Sequence, residues 1–426
     1  MKKLYTLLVF VLCMVATTAN AQTKFVGGDI SMLTKFMDEG AIYKDKDLNA
    51  IDPLTFFKEQ GWNSMRVRLF VDPTKATTQE RKEGAIQDLP YVIALGKQIK
   101  DAGYSFMLDF HYSDTWTDPG KHSTPSAWSS MSVDELKTEM YNYTKSCLQQ
   151  LKAGGATPDL IQVGNEITTG MLWPTGRIYA GGGAPSGGSW DNFASYLANG
   201  IKACNEECPD AKIVIHTELH SVSDVPKFYN NLAAYTDVKY DIIGLSYYPD
   251  YHGTVATLNA LLTTLENQHS DKKIMIVETG YGFQYPLNGA KEEYKNLYPL
   301  SDSGQKQFAD ALITTLSNHA NVNGLYWWYP EYTLCNIVYK NGSEDWSKDF
   351  TAGFWNAALF HYKTGKAMSA LYALKDFLGE TSGIEQVPTV NKTTDDNWYT
   401  INGQLLNGKP TLKGVYINSG KKIVVK

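Results

Sequence analysis

The chain has 426 residues, of which 43% are hydrophobic, 20% charged and 12% aromatic, with 35 Gly, 16 Pro and a formal net charge of -6. That balance excludes a disordered chain and a coiled coil, and an acidic surface without a Lys/Arg cluster argues against nucleic-acid binding. The unusual feature is the set of 27 Tyr, 16 Phe and 10 Trp, which suits a large core or a groove where flat rings stack on flat ligands.

Residues 1–21 begin with Lys2 and Lys3, continue through an apolar run from Leu7 to Leu12 and end in Ala19-Asn20-Ala21. This order reads as a secretory signal peptide, and its apolar run is too short to span a bilayer. No later segment is long and apolar enough to span either. An exported protein is expected, secreted or held in the periplasm or at the cell surface.

Eight short runs rich in apolar, β-branched and aromatic residues follow: Phe25–Ser31, Ser64–Phe70, Ser105–Tyr112, Leu160–Glu166, Lys212–Leu219, Tyr240–Tyr248, Lys273–Gly280 and Gly324–Pro330. They read as buried parallel strands. Amphipathic stretches lie between them, among them Leu89–Ala102, Val133–Lys152, Trp190–Glu206, Val255–Gln268 and Ser303–Asn318. The alternation predicts an α/β fold, a (β/α)8 TIM barrel over residues 22–380. A doubly wound sheet is the alternative, but no GxGxxG follows the first strand.

Cys204 and Cys208, just before Pro209, allow a local disulfide in an oxidising compartment; no second CxxC or HxxxH completes a metal site. The Gly-rich stretch Gly181–Gly188 has no P-loop lysine and reads as a substrate-side loop. Residues 381–396 are polar and read as a linker, and 397–426 as a small C-terminal β-rich tail with turns at Asn402-Gly403, Asn407-Gly408 and Ser419-Gly420. That tail resembles the C-terminal β-modules of secreted Bacteroidetes proteins, which implies sorting or surface attachment; a β-hairpin packed on the barrel is the plainer reading.

A barrel of this type does its chemistry at the C-terminal strand ends. There the sequence places Asp29, Arg66 and Arg68, Asp109 and His111, Asn165 and Glu166, Tyr247 and Tyr248, Glu278, and Trp327 and Trp328. Glu166 and Glu278 close otherwise apolar strands, the fourth and the seventh, nearly opposite one another. A lone glutamate there reads equally well as part of a structural ion pair, but two facing carboxylates suit glycoside hydrolysis, one as proton donor and one as nucleophile. Arg66 or Arg68 beside the nucleophile would lower its pKa, and a drier pocket would raise that of the acid. Asn165 is placed to bond a sugar hydroxyl. Alternation along a strand allows one residue of each aromatic pair, Tyr247/Tyr248 and Trp327/Trp328, to face inward.

Longer strings sharpen this. Met65-Arg66-Val67-Arg68-Leu69-Phe70-Val71-Asp72-Pro73, the block Leu108-Asp109-Phe110-His111-Tyr112-Ser113-Asp114-Thr115-Trp116-Thr117-Asp118-Pro119-Gly120-Lys121, and Gln162-Val163-Gly164-Asn165-Glu166 with Met171-Leu172-Trp173-Pro174 resemble glycoside hydrolase family 53, the arabinogalactan endo-β-1,4-galactanases of the clan A retaining glycosidases. So do Ser246-Tyr247-Tyr248-Pro249 and Val277-Glu278-Thr279-Gly280-Tyr281. The resemblance runs from about Phe25 to Leu378, and the third-strand block is its most specific part.

The resemblance implies cleavage of internal β-1,4-galactosyl bonds of pectic galactan with retention. Glu166 would be the acid/base and Glu278 the nucleophile. Asn165, Arg66, Asp109, His111, Asp114, Trp116, Trp173, Tyr247 and Trp327 or Trp328 would surround the substrate. No cofactor is implied. The calcium-binding loop of some bacterial relatives is not expected here, because Gly282–Lys291 offers one Asn and no Asp. The expected partner is galactan polysaccharide, and a monomer is expected. Another clan A endo-β-1,4-glycanase, acting on mannan or glucan, is the alternative; a non-catalytic glycan-binding barrel has no need of two buried glutamates.

Overall fold

The structure is a computed structural model that describes residues 23–219, 221–333, 335, 356–379, 397–400, 405–418 and 421–425. The predicted signal peptide and linker lie outside the described residues. Contacts divide the chain into two units, Met1–Gly379 and Glu380–Lys426.

In the first unit β1 (Phe25–Asp29), β2 (Ser64–Leu69), β3 (Ser105–Phe110), β4 (Leu160–Val163), β5 (Lys212–Glu218), β6 (Ile242–Tyr247), β7 (Lys273–Thr279) and β8 (Val322–Trp328) close in sequence order into a parallel barrel. β8 pairs with β1, with Phe25 opposite Gly324. Outward residues such as Val67, Leu108, Ile161, Ile243 and Leu325 pack against apolar helix faces that include Val92, Leu148, Leu197, Leu262 and Leu312, all completely buried. The helices start where their caps dictate. Asp88 accepts from the Tyr91 N–H ahead of helix Leu89–Asp101, Ser132 and Glu135 form a capping box for Val133–Ala153, and Ser301 caps Asp302–Ser317. Helices Pro53–Glu59 and Asp224–Leu232, which the sequence reading did not single out, cover further parts of the barrel wall.

The barrel interior is filled by Met107, Leu160, Val214, Ile242, Met275, Val277 and Tyr326. Each such side chain contributes roughly 1.5–3 kcal/mol by leaving water. Gly324 completes the layer, because a Cβ there would lie 2.5 Å from Met275 Cγ. Above this apolar plug the inward positions turn polar, and the site begins there.

Cys204 and Cys208 are buried thiols, not bonded to one another, so the allowed disulfide does not form in this structure. No helix among the described residues is long and apolar enough to cross a membrane. The second unit is an antiparallel sheet of β9 (Trp398–Thr400), β10 (Leu405–Leu406), β11 (Gly414–Asn418) and β12 (Lys421–Val425), in the order β10-β9-β11-β12.

Candidate active site

Arg66 is the centre of the polar layer. It points inward from β2 with 1% exposure. Its Nη1 donates to Asp29 Oδ2 at 2.8 Å, its Nη2 to Asp109 Oδ2 at 2.8 Å and Asn165 Oδ1 at 3.0 Å, and its Nε to Gln162 Oε1 at 3.2 Å. The same Nη2 lies 2.9 Å from Glu278 Oε1. Asp29 also binds Arg68 Nη1 at 2.8 Å. Two guanidiniums are thus held among three carboxylates, a network that keeps buried charges paired.

Glu278 owes its orientation to an irregularity. Along β6 and β7, Leu245 pairs with Ile276 but Ser246 pairs with Glu278, so Val277 is an extra residue in the ladder. Val277 faces the interior plug, and strict alternation would turn Glu278 outward; the bulge re-aims it into the cleft. Burial raises the Glu278 pKa to about 7 against the opposing pull of Arg66. Its Oε2 accepts a 3.1 Å hydrogen bond from Tyr248 Oη.

Glu166 sits differently. β4 ends at Val163, so Asn165 and Glu166 occupy the turn beyond the strand and not its last positions. Glu166 has φ 48° and ψ 47°, a left-handed conformation uncommon for a non-glycine residue, adopted just after Gly164 at φ 91°. Burial pushes its carboxyl well above the usual range, and the charges of Glu278 and Glu218 push it the same way. Among the described residues no cation is one of its principal interactions, whereas Arg66 opposes the rise at Glu278, so of the two carboxyls Glu166 holds its proton more tightly. Asn165 donates from Nδ2 to the Thr117 carbonyl at 2.8 Å while its Oδ1 accepts from Arg66, which fixes the amide orientation.

Glu166, Glu278, Asn165, Arg66, His111, Trp116 and Trp328 line one cleft of about 530 Å³. Trp116 and Trp328 meet edge to face at 6.3 Å, and the Arg68 guanidinium lies 4.5 Å from the Trp116 ring centre. His111 faces Asp109 Oδ2 through Nε2 at 3.3 Å and accepts the Thr117 N–H at Nδ1.

The remaining predicted residues lie elsewhere. Asp109 is completely buried below the cleft; burial raises its pKa, but Arg66 and His111 outweigh that and hold it below the ordinary value. Tyr247 is corrected to a packing position: alternation turns it toward helix Asp302–Ser317, 6.3 Å from Phe308, and its hydroxyl donates to the Gly253 carbonyl. The inward tyrosine is Tyr248. Trp327 likewise faces outward, its Nε1 donating to the Ala357 carbonyl at 2.7 Å, and Trp328 is the cleft residue. Asp114 ties loops together, accepting from the Asp72 N–H and from the N–H and hydroxyl of Ser126. Trp173 donates to the Thr169 carbonyl, carries Arg177 at 4.0 Å over its ring and borders a separate cavity of about 490 Å³ with Trp128.

Sequence reasoning missed further cleft carboxylates, among them Glu218. Glu218 ends β5 as Glu278 approaches the end of β7, it is 6% exposed, and it accepts a hydrogen bond from the Thr168 hydroxyl. The signal was the same apolar strand closing on a glutamate, Ile213-Val214-Ile215-His216-Thr217-Glu218. Tyr251, Lys121 and Glu80 also border the cleft, the last two as an ion pair.

The chain is 31% identical to arabinogalactan endo-β-1,4-galactanase A of Aspergillus niger over 328 residues, 74% of this chain and 87% of the relative. It is 34% identical over 373 residues to a protein of the bgaB 5′ region of Niallia circulans, covering 85% and 96%. Among solved structures, the Ignisphaera aggregans GH53 catalytic domain superposes with a TM-score of 0.70 at 31% identity, over 82% of this chain and 95% of that one. A fungal β-1,4-galactanase superposes with a TM-score of 0.68 at 27% identity, over 82% and 98%. The model of glycosyl hydrolase family 53 matches residues 25–374, and the chain belongs to that family.

Proposed function

We propose that this protein is an exported endo-β-1,4-galactanase that hydrolyses internal bonds of pectic galactan with retention. The observation that carries the mechanism is the asymmetry of the two cleft glutamates. Glu278 is held by Arg66 at 2.9 Å and Tyr248 at 3.1 Å, whereas Glu166 faces other carboxylates. Family membership and the galactanase relatives support the substrate, and the order of Lys2-Lys3, the apolar run Leu7 to Leu12 and Ala19-Asn20-Ala21, which reads as a signal peptide, supports export.

Ionised Glu278 attacks the anomeric carbon while Glu166 gives its proton to the departing glycosidic oxygen, so the bond breaks without releasing an alkoxide. A galactosyl ester on Glu278 results. Glu166, now ionised, takes a proton from water; the hydroxide adds to the anomeric carbon and Glu278 leaves as carboxylate. Arg66 stabilises that leaving carboxylate, and the remaining Nδ2 hydrogen of Asn165 is available to the 2-hydroxyl. The rings of Trp116 and Trp328 offer apolar faces to sugar rings.

The test is digestion of linear β-1,4-galactan beside mannan, xylan and carboxymethylcellulose, with proton NMR of the first-formed anomer. Galactan cut to β-anomeric products is expected. Cleavage of only mannan or glucan would overturn the substrate, and α-anomeric first products would overturn retention.

A further inference from the structure

The cavity beside Trp173 has no part in the mechanism above. Its volume of about 490 Å³ falls within the range of about 300–1,000 Å³ usual for small-molecule sites. The segment after β4 lines it with Trp173 and Arg177, and the segment after β3 with Ser123, Thr124, Trp128 and Ser129. A bridge between Ser123 and Trp173 joins the two segments, and the Trp173 N–H donates to the His122 carbonyl at 2.9 Å. Lys121, two residues before Ser123, borders the catalytic cleft, so one loop serves both hollows.

Two chemical features decide what this cavity can hold. The first is Arg177, whose guanidinium lies 4.0 Å from the Trp173 ring centre. Its Nε is buried and meets no hydrogen-bond acceptor among the described residues. Among the described residues that line the cavity Arg177 is the only charged side chain, so no carboxylate of the lining neutralises it. A buried donor without an acceptor is costly, and a guanidinium packed on an aromatic ring keeps its in-plane N–H edge for a planar carboxylate. The second feature is a pair of hydroxyls. A hydroxyl has one proton, and Thr124 and Ser129 give theirs to the Trp173 and Ser126 carbonyls, both at 2.8 Å. Their oxygens remain as acceptors. The cavity thus presents a donor edge for a carboxylate, acceptors for O–H groups, and apolar surface on Trp128 and Trp173. A ligand that meets all three has a carboxylate, hydroxyls and a ring with an apolar face, which is the make-up of a uronic acid. An inorganic anion lacks the ring, and a neutral sugar lacks the charge.

We infer that this cavity is a second carbohydrate site that binds a uronic-acid residue of an acidic polysaccharide, with the sugar carboxylate on Arg177. The catalytic cleft is a poor place for such a sugar, because Glu83, Asp118 and Glu218 border it along with Glu166 and Glu278. Pectic galactan chains are neutral but are carried on a backbone that contains galacturonate. The second site holds that backbone while the cleft takes the neutral chain. This anchoring role rests on the reading of the protein as a galactanase; the binding site does not.

Calorimetry on the full chain compares methyl α-galacturonoside as the free acid, its methyl ester, methyl α-galactoside and acetate. The free acid is expected to bind at least about 10-fold more tightly than the other three, as one charge-assisted contact allows, and to weaken as salt is raised. Galactobiose, a ligand for the cleft, is expected not to displace it. Arg177→Gln is expected to weaken the free acid at least about 10-fold and to leave kcat and KM on linear galactan unchanged. On galactan still attached to its galacturonate-containing backbone, the same variant is expected to raise KM about threefold or more at constant kcat, the mark of lost uniform binding. Equal binding of the acid and its ester, acetate binding as tightly, displacement by galactobiose, or undiminished binding by Arg177→Gln would overturn the proposal. Should Arg177→Gln not fold, the ligand series and the galactobiose competition on the unaltered protein decide alone. An unchanged KM on backbone-bearing galactan overturns the anchoring role. Failure of the unaltered protein to cut any galactan removes the galactanase reading, and the ligand series still decides the site.

Discussion

Replacing Arg66 by Met tests the electrostatic logic of the site most directly. The guanidinium lies 2.8 Å from Asp29 and Asp109 and 2.9 Å from Glu278, with 1% exposure. At an effective dielectric near 20, one such contact is worth on the order of 5 kcal/mol before desolvation is counted. Removing one member of a buried pair costs about 3–5 kcal/mol, a large part of a typical folding free energy of about 5–15 kcal/mol. Arg68 still faces Asp29, so the uncompensated charges are Asp109 and Glu278. Glu278 already lies near 7, and without Arg66 it rises further. A carboxyl whose folded-state pKa is raised binds more protons folded than unfolded, so its penalty grows as pH rises through the unfolded value toward the folded one. The Arg66→Met protein is therefore expected to lose more stability at pH 8 than at pH 5. Its acid limb of kcat/KM, which requires ionised Glu278, is expected to move to higher pH. Urea melts at both pH values and a kcat/KM profile measure this. A loss below about 1 kcal/mol at pH 8 together with an unmoved acid limb would refute the reasoning.

Glu278→Gln is expected to abolish turnover while retaining oligosaccharide binding, measured by calorimetry, because the amide keeps the shape and cannot attack. Glu166→Ala is expected to give a β-galactosyl azide when azide is added with an activated substrate; absence of that product speaks against the acid/base role. Glu218→Gln removes a charge that raises the Glu166 pKa, so the alkaline limb of the pH profile should move to lower pH. Tyr248→Phe should lower kcat/KM, whereas Tyr247→Phe should leave activity near normal and cost about 1 kcal/mol of stability through the lost bond to Gly253. Reversed effects of the two tyrosines would contradict their assigned orientations.

The eight strand–helix alternations were legible because buried parallel strands and amphipathic helices leave strong periodic signatures, and every predicted strand lies within a few residues of an observed one. The pairing of Glu166 and Glu278 in one cleft was legible for a related reason: a carboxylate closing an apolar strand has to meet a partner, and a parallel barrel gathers its strand ends on one face. Which member of Tyr247/Tyr248 and Trp327/Trp328 faces the sugar was not. Inward phase is set by the closed ladder and its bulges, and one extra residue, Val277, is enough to decide whether Glu278 faces the cleft or the helices. Nor did the sequence connect Glu166 to His216, 50 residues away, or Arg66 to Asp109 and Asn165, because those contacts exist only once the barrel closes. Sequence by itself determined the elements and the chemical types at their ends. Tertiary structure decided which of those groups share a cleft and which one keeps its proton, because orientation and pKa depend on burial and on neighbours remote in the chain.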